Sequence, residues 1–202
     1  MNIARRTLLA FGILTFAYTT GRTAPQDKTH VERPVIAARA EDVSTMEGIV
    51  KASYETISGG IGVPRDWGRD RTLFDPESRS VAVAVDSKTG AITAKAKTEQ
   101  EFADESDAWA VKNGFTEREL KHIIKRYGNV ATVLSGYEGK NAEGKILNRG
   151  VNIFQLYFDG KRWWILSMVW DEERPGNPIP PELLSGSISN PLRGEPRIRV
   201  RS

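Results

Sequence analysis

The 202-residue chain contains no cysteine and only two histidines, His30 and His122. The missing cysteine excludes disulfides, thiol chemistry and a lipid-modified N-terminal cysteine, so the core must hold the fold unaided. With so few histidines and the acids scattered, no residues converge on metal-ligand spacing, and neither a metal nor a cofactor is expected. His30 lies in a polar stretch. His122 lies between Leu120 and Ile124, beside Lys121 and Lys125, as a packed or edge histidine would. Past the N-terminus no apolar run approaches the length of a membrane span. The net charge of +3 comes from the two ends, from Arg5, Arg6 and Arg22 and from Arg193, Arg197, Arg199 and Arg201. The body between them is slightly acidic, and a nucleic-acid partner is not expected.

What is present begins with "MNIARRTLLAFGILTFAYTTGRTAPQ", a basic start, an apolar run from Leu8 to Tyr18 and then small residues. That is the layout of an export signal. Arg5-Arg6-Thr7-Leu8-Leu9 resembles a twin-arginine signal, with the general secretory route as the alternative. Residues 1–24 are therefore expected to direct export to the periplasm or medium, without stable membrane insertion after cleavage; a retained N-terminal anchor is the other reading. Residues 25–42, polar and holding Pro25 and Pro34, read as a linker, 43–186 as the folded domain, and 187–202 as a basic flexible tail.

Within the domain, Ser44 and Glu47 are spaced as a capping box, and Met46, Ile49, Val50, Ser53 and Ile57 share one helical face before Gly59. Trp67, Arg71 and Phe74 recur at helical spacing ahead of Pro76. Val81, Val83 and Val85 alternate as a strand, followed by a turn and a second strand around Ile92. Thr98 and Glu101 form another capping box, Phe102 and Trp109 share a face, and Gly114 closes that helix. Alternation then runs through "ERELKHIIKRYGNVATVLSGYEG", with a bend or bulge at Gly128-Asn129, and through "GVNIFQLYF" and "KRWWILSMVW", joined by Asp159-Gly160. Helix, helix, two strands, helix and about four strands make an α+β layer fold with a meandering antiparallel sheet.

The runs "SYETISGG", "RDWGRDRTLF", "NGFTERELKHIIKRYGNVATVLSGYE" and "RGVNIFQLYFDGKRWWILSMVWDEERPGNPIP", in this order, resemble the nuclear transport factor 2-like (SnoaL-like) superfamily. They are similar to a group of its exported bacterial members. The resemblance implies a curved antiparallel sheet wrapped as a cone around three helices, with a pocket at the open end. It also implies acid–base residues inside the cone where a member is an enzyme, and commonly a second subunit on the sheet's other face.

A two-residue turn at Asp159-Gly160 would put Asn152, Phe154, Leu156, Trp163, Ile165, Ser167 and Val169 on one hairpin face. Val151, Ile153, Gln155, Tyr157, Arg162, Trp164, Leu166, Met168 and Trp170 would fill the other. Both faces are apolar, so one should cover the helices and the other a homodimer partner. The alternative cover is the proline-rich segment from Arg174 to Leu184 folding back.

No base occupies the place where steroid isomerases carry an Asp, since Ala82 and Val83 stand there. The weak catalytic candidates are Asp66, which also suits a helix start, Tyr54, one position off the inward stripe, and Tyr137. Glu117 and Glu119, beside Arg118 and Lys121, read as a solvated charged edge. Trp67, Phe74, Trp109, Trp164 and Trp170, with Tyr137, Asn152 and Gln155 as polar groups, are the candidate lining of an apolar pocket for a small apolar or aromatic ligand. Three functions fit: an exported small-molecule binder, an isomerase, dehydratase or cyclase, and a dimerisation or protein-interaction module.

Overall fold

The computed structural model describes residues 30–184. The expected export signal and basic tail lie outside those residues, as does the start of the linker. The elements run α1 (Ala40–Val43), α2 (Met46–Thr56), α3 (Trp67–Arg71), β1 (Phe74–Val85), β2 (Ile92–Lys97), α4 (Glu99–Asn113), β3 (Thr116–Tyr127), β4 (Val130–Lys140), β5 (Ile146–Phe158) and β6 (Trp163–Glu172). A short 3-10 turn, Pro181–Leu183, follows. The fold is α+β, with a curved, unclosed six-stranded sheet ordered β2-β1-β6-β5-β4-β3. Its neighbours are antiparallel except β1 and β6, which are parallel. The core joins Ile49, Val50 and Tyr54 of α2 to Val133, Tyr137, Phe154, Leu156, Trp163 and Ile165 of the sheet.

Helix α4 starts and stops as expected: Thr98 and Glu101 form the capping box, and Gly114 ends it at φ 68°. Helix α2 differs. Thr45, not Ser44, caps it by accepting from the Gly48 amide at 2.9 Å, and the helix ends at Thr56 ahead of Gly59. Ser44 instead terminates α1, a helical turn within the stretch read as linker and domain start. Residues 30–43 pack onto the body: Arg33 pairs with Asp70 at 2.7 Å and Asp42 with Arg69 at 2.7 Å. Helix α3 ends at Arg71, so Phe74 begins β1 and does not extend a helical stripe. Gly128-Asn129 is the turn joining β3 to β4, with Gly128 at φ 56°, and the bulge lies elsewhere on β3, between Glu119 and Lys121.

The β5–β6 hairpin corrects the expected faces. Phe158 pairs with Trp163, so the turn holds four residues; the Asp159 carboxylate accepts from the amides of Lys161 and Arg162, both at 2.8 Å. The register then slips, because Leu156 faces Ile165 while Gln155 faces Ser167, leaving Leu166 as a bulge. Beyond the bulge every side chain changes face. Met168 and Trp170 turn inward, while Ser167 and Val169 turn outward. Asn152 accordingly faces Trp170 and not Ser167.

The convex face is covered in part by the segment that follows β6. Ile179 and Leu183 are buried, and Leu183 rests on Gly136, where a β-carbon would meet its side chain at 3.1 Å. Beside it runs an apolar row through all six strands: Ile123, Leu134, Ile153, Val169, Val81 and Ala96. Ile153 and Val169 are exposed.

Candidate functional site

Between the concave face and α4 lies a cavity of about 610 Å3. Aromatic rings form much of its wall. Trp67 meets Phe102 edge-on at 6.3 Å, Phe102 meets Trp170 at 6.2 Å, and Trp109 meets Phe115 at 6.1 Å. The Trp67 indole is held by its N–H, which donates to Asp107 at 2.7 Å. Trp109, Ile146 and Leu147 line the cavity and are exposed, so they form its mouth; Glu172, also exposed, lies near enough to Glu117 and Tyr137 for its charge to act on both. Glu117 and Asn152 stand at the other end, where they also border a void of about 20 Å3 shared with Asp70 and Glu99. A void of that size has room for about one water.

The polar groups at this inner end are few. Tyr137 is only 1% exposed, and its hydroxyl has no hydrogen-bond partner among the described residues. Its ring lies over Gly150, where a β-carbon would come within 2.9 Å of the hydroxyl oxygen, so the phenol needs glycine beneath it. Burial, followed by the charges of Glu117 and Glu172, raises its pKa and keeps it protonated. Glu117 accepts one long contact, 3.4 Å from the Asn152 amide. Burial pushes its carboxyl up to about 7; the Asn152 hydrogen bond opposes this and Glu172 adds to it. Arg65 also lines the wall, but its guanidinium donates to the carbonyls of Val63 at 2.9 Å and Ala110 at 2.7 Å.

Five of the eight residues expected to line a pocket are brought together here: Trp67, Trp109, Tyr137, Asn152 and Trp170. Three are not. Phe74 is in the core, borders only the small void and lines a separate recess near Arg33. Gln155 points outward and accepts from Thr132 at 3.0 Å. Trp164 is also outside, with its N–H on Asp159 at 2.8 Å and the Arg162 guanidinium stacked 3.6 Å from its ring.

Of the catalytic candidates, Asp66 caps α3 by accepting from the Arg69 amide at 3.1 Å and does not line the cavity. Tyr54, expected off the inward face, is buried; its hydroxyl bonds Ser135 at 2.7 Å and accepts from Asn152 at 3.1 Å. Ser135 in turn donates to Glu119 at 2.6 Å, and Glu119 holds His122 at 2.9 Å. Glu117 and Glu119 are thus inward-facing members of a polar network and not a solvated edge. Glu117 is the functional candidate that sequence reasoning missed. Its strand places it opposite Gly139, on the face shared with Tyr137, but the β3 bulge hides that parity.

No protein-family model and no curated protein matches the chain. Among solved structures, a protein of unknown function from Mycobacterium tuberculosis is 18% identical, with 64% of this chain and 74% of that one aligned at a TM-score of 0.46. A nuclear transport factor 2-like protein of unknown function from Methylobacillus flagellatus is 13% identical over 63% and 89%, at 0.43. A candidate ketosteroid isomerase from Parabacteroides distasonis is 11% identical over 68% and 99%, at 0.45.

Proposed function

We propose that this protein binds one small, mostly apolar molecule in the aromatic cavity between α4 and the concave sheet face. The observation that carries the reading is the Tyr137 hydroxyl, buried at the cavity wall without a partner among the described residues. A buried hydroxyl left unbonded costs about 1–3 kcal/mol, and a ligand polar group at the wall would recover it. Native mass spectrometry with adamantan-1-ol as probe tests this. One bound molecule is expected on the wild type and none on Ser106→Trp, whose indole would occupy the space beside Phe102. Equal uptake by both proteins, or none by the wild type, would contradict the reading.

A second reading is an isomerase or dehydratase, favoured by a carboxyl at about 7 beside an unpartnered phenol. Of the catalytic candidates Asp66, Tyr54 and Tyr137, only Tyr137 lines the cavity, with Asn152 beside it and Glu117 added as the base. Turnover of a probe that wild type converts and Glu117→Gln does not would favour this reading over simple binding.

The reading extends to export, supported by the Arg5-Arg6 start and its apolar run, and to a second copy on the apolar row of the convex face. Cell fractionation tests the first. Sedimentation of the wild type against Val169→Lys tests the second, with a dimer expected to become a monomer.

A further inference from the structure

Elsewhere three buried acids meet an arginine, and a fourth, Glu99, accepts from the Ser80 hydroxyl at 2.6 Å. Asp42 meets Arg69 at 2.7 Å, Asp70 meets Arg33 at 2.7 Å, and Glu138 meets Arg118 at 3.1 Å. The cavity breaks the pattern. No ion pair joins Glu117 or Glu172 to any cationic side chain among the described residues. Both carboxylates line a space walled by Trp67, Phe102, Trp109, Phe115 and Trp170. Indole and phenyl faces attract cations, most strongly where water is displaced. The Tyr137 hydroxyl, deeply buried and without a partner among the described residues, supplies an oxygen able to accept from an N–H donor.

Resting on the reading of the cavity as a small-molecule site, we propose that its ligand is an organic ammonium ion: an apolar body among the rings, its charged nitrogen between Glu117, Glu172 and the Tyr137 oxygen. The cation would give these acids the partner that Asp42, Asp70 and Glu138 have in arginine. It also accounts for a ring-lined wall carrying acids, where a neutral ligand would need only the rings. Arg65, a basic group of the lining, does not supply that charge to Glu117, since it donates to the backbone carbonyls of Val63 and Ala110.

Binding should depend on pH. Facing or near Glu117 are Tyr54 of α2, Asp70 of α3, Glu99 of α4, Tyr137 of β4, Asn152 of β5 and Glu172 of β6, with Arg65 and Lys145 on the cavity wall and Glu119 on its own strand. Uncharged, Glu117 cannot pair, so affinity should fall as pH drops below about 7.

The test compares adamantan-1-amine, adamantan-1-ol and adamantane-1-carboxylate, three bodies of one shape, by calorimetry at pH 8. The amine is expected to bind about tenfold or more tighter than the alcohol. The carboxylate should be weakest. Glu117→Gln and, separately, Glu172→Gln should remove the amine's advantage over the alcohol. Equal binding of amine and alcohol, or a preference for the carboxylate, would overturn the ammonium assignment while leaving the cavity a binding site. Failure of all three to bind would overturn both.

Discussion

Two carboxyls in this protein are pushed by burial up to about 7, Glu99 and Glu117, and their surroundings differ in kind. Glu99 opens α4 and is 6% exposed; it accepts a 2.6 Å hydrogen bond from Ser80, and Arg33, paired to Asp70, offsets part of the local charge. Glu117 has only the long Asn152 contact, the nearby exposed Glu172 and a phenol without a partner among the described residues, all on the wall of an aromatic cavity. The same desolvation thus serves two ends. In one place the chain supplies its own partners, which reads as structure. In the other the set is incomplete, which reads as a site.

The sharpest way to break the contrast is Arg33→Ala. It strips the cation from Asp70, and both side chains are nearly buried, at 9% and 4% exposure. Removing one member of such a pair should cost about 3 kcal/mol in urea unfolding at pH 7. The packing of residues 30–43 onto the body should loosen with it.

Glu99→Gln should act in the opposite direction, stabilising by about 2 kcal/mol at pH 8. The sign follows from a carboxyl raised from 4.5 to about 7 on folding. The folded state holds the proton more tightly, so the stability it contributes is full below 4.5 and is lost as pH rises through 7. Unfolding measured from pH 4 to 8 should show that decline in the wild type and a flatter profile in the variant. Glu117→Gln should give the same sign but a smaller gain, about 1 kcal/mol, because the cavity admits solvent to this side chain. Tyr137→Phe should also stabilise the free protein, by about 1 kcal/mol, because it removes a buried hydroxyl that has no partner among the described residues. Its effect should appear in ligand affinity as well.

The sequence made the inner wall more legible than its chemistry. Trp67 and Trp109 carry helical spacing, and capping residues fixed where α4 begins, so two sides of the cavity could be read directly. Trp170 reached the expected pocket by a route the expected register did not contain. "WWILSMVW" is apolar but for Ser167, so its period cannot reveal that Leu166 bulges and exchanges the faces beyond it. The same continuity sent Trp164 outward, away from its expected pocket position. Glu117 was hidden for a different reason. "TEREL" looks like a charged edge strand, and only the pairing of Glu117 with Gly139 and of Glu119 with Tyr137 shows that both acids turn inward. Tyr54 was misplaced because α2 is enclosed on a face wider than one stripe, with Ile49, Val50, Ala52, Ser53, Tyr54 and Thr56 all buried.

The contrast between the two carboxyls can be measured in one experiment, a carbon-13 NMR titration of the glutamate carboxyls with and without adamantan-1-amine. Two resonances should titrate near 7 in the free protein. On adding the amine, the one assigned to Glu117 should fall toward the ordinary carboxylate range while that of Glu99 stays. If neither moves, or if Glu99 moves and Glu117 does not, the division between a self-supplied cluster and an incomplete site is wrong.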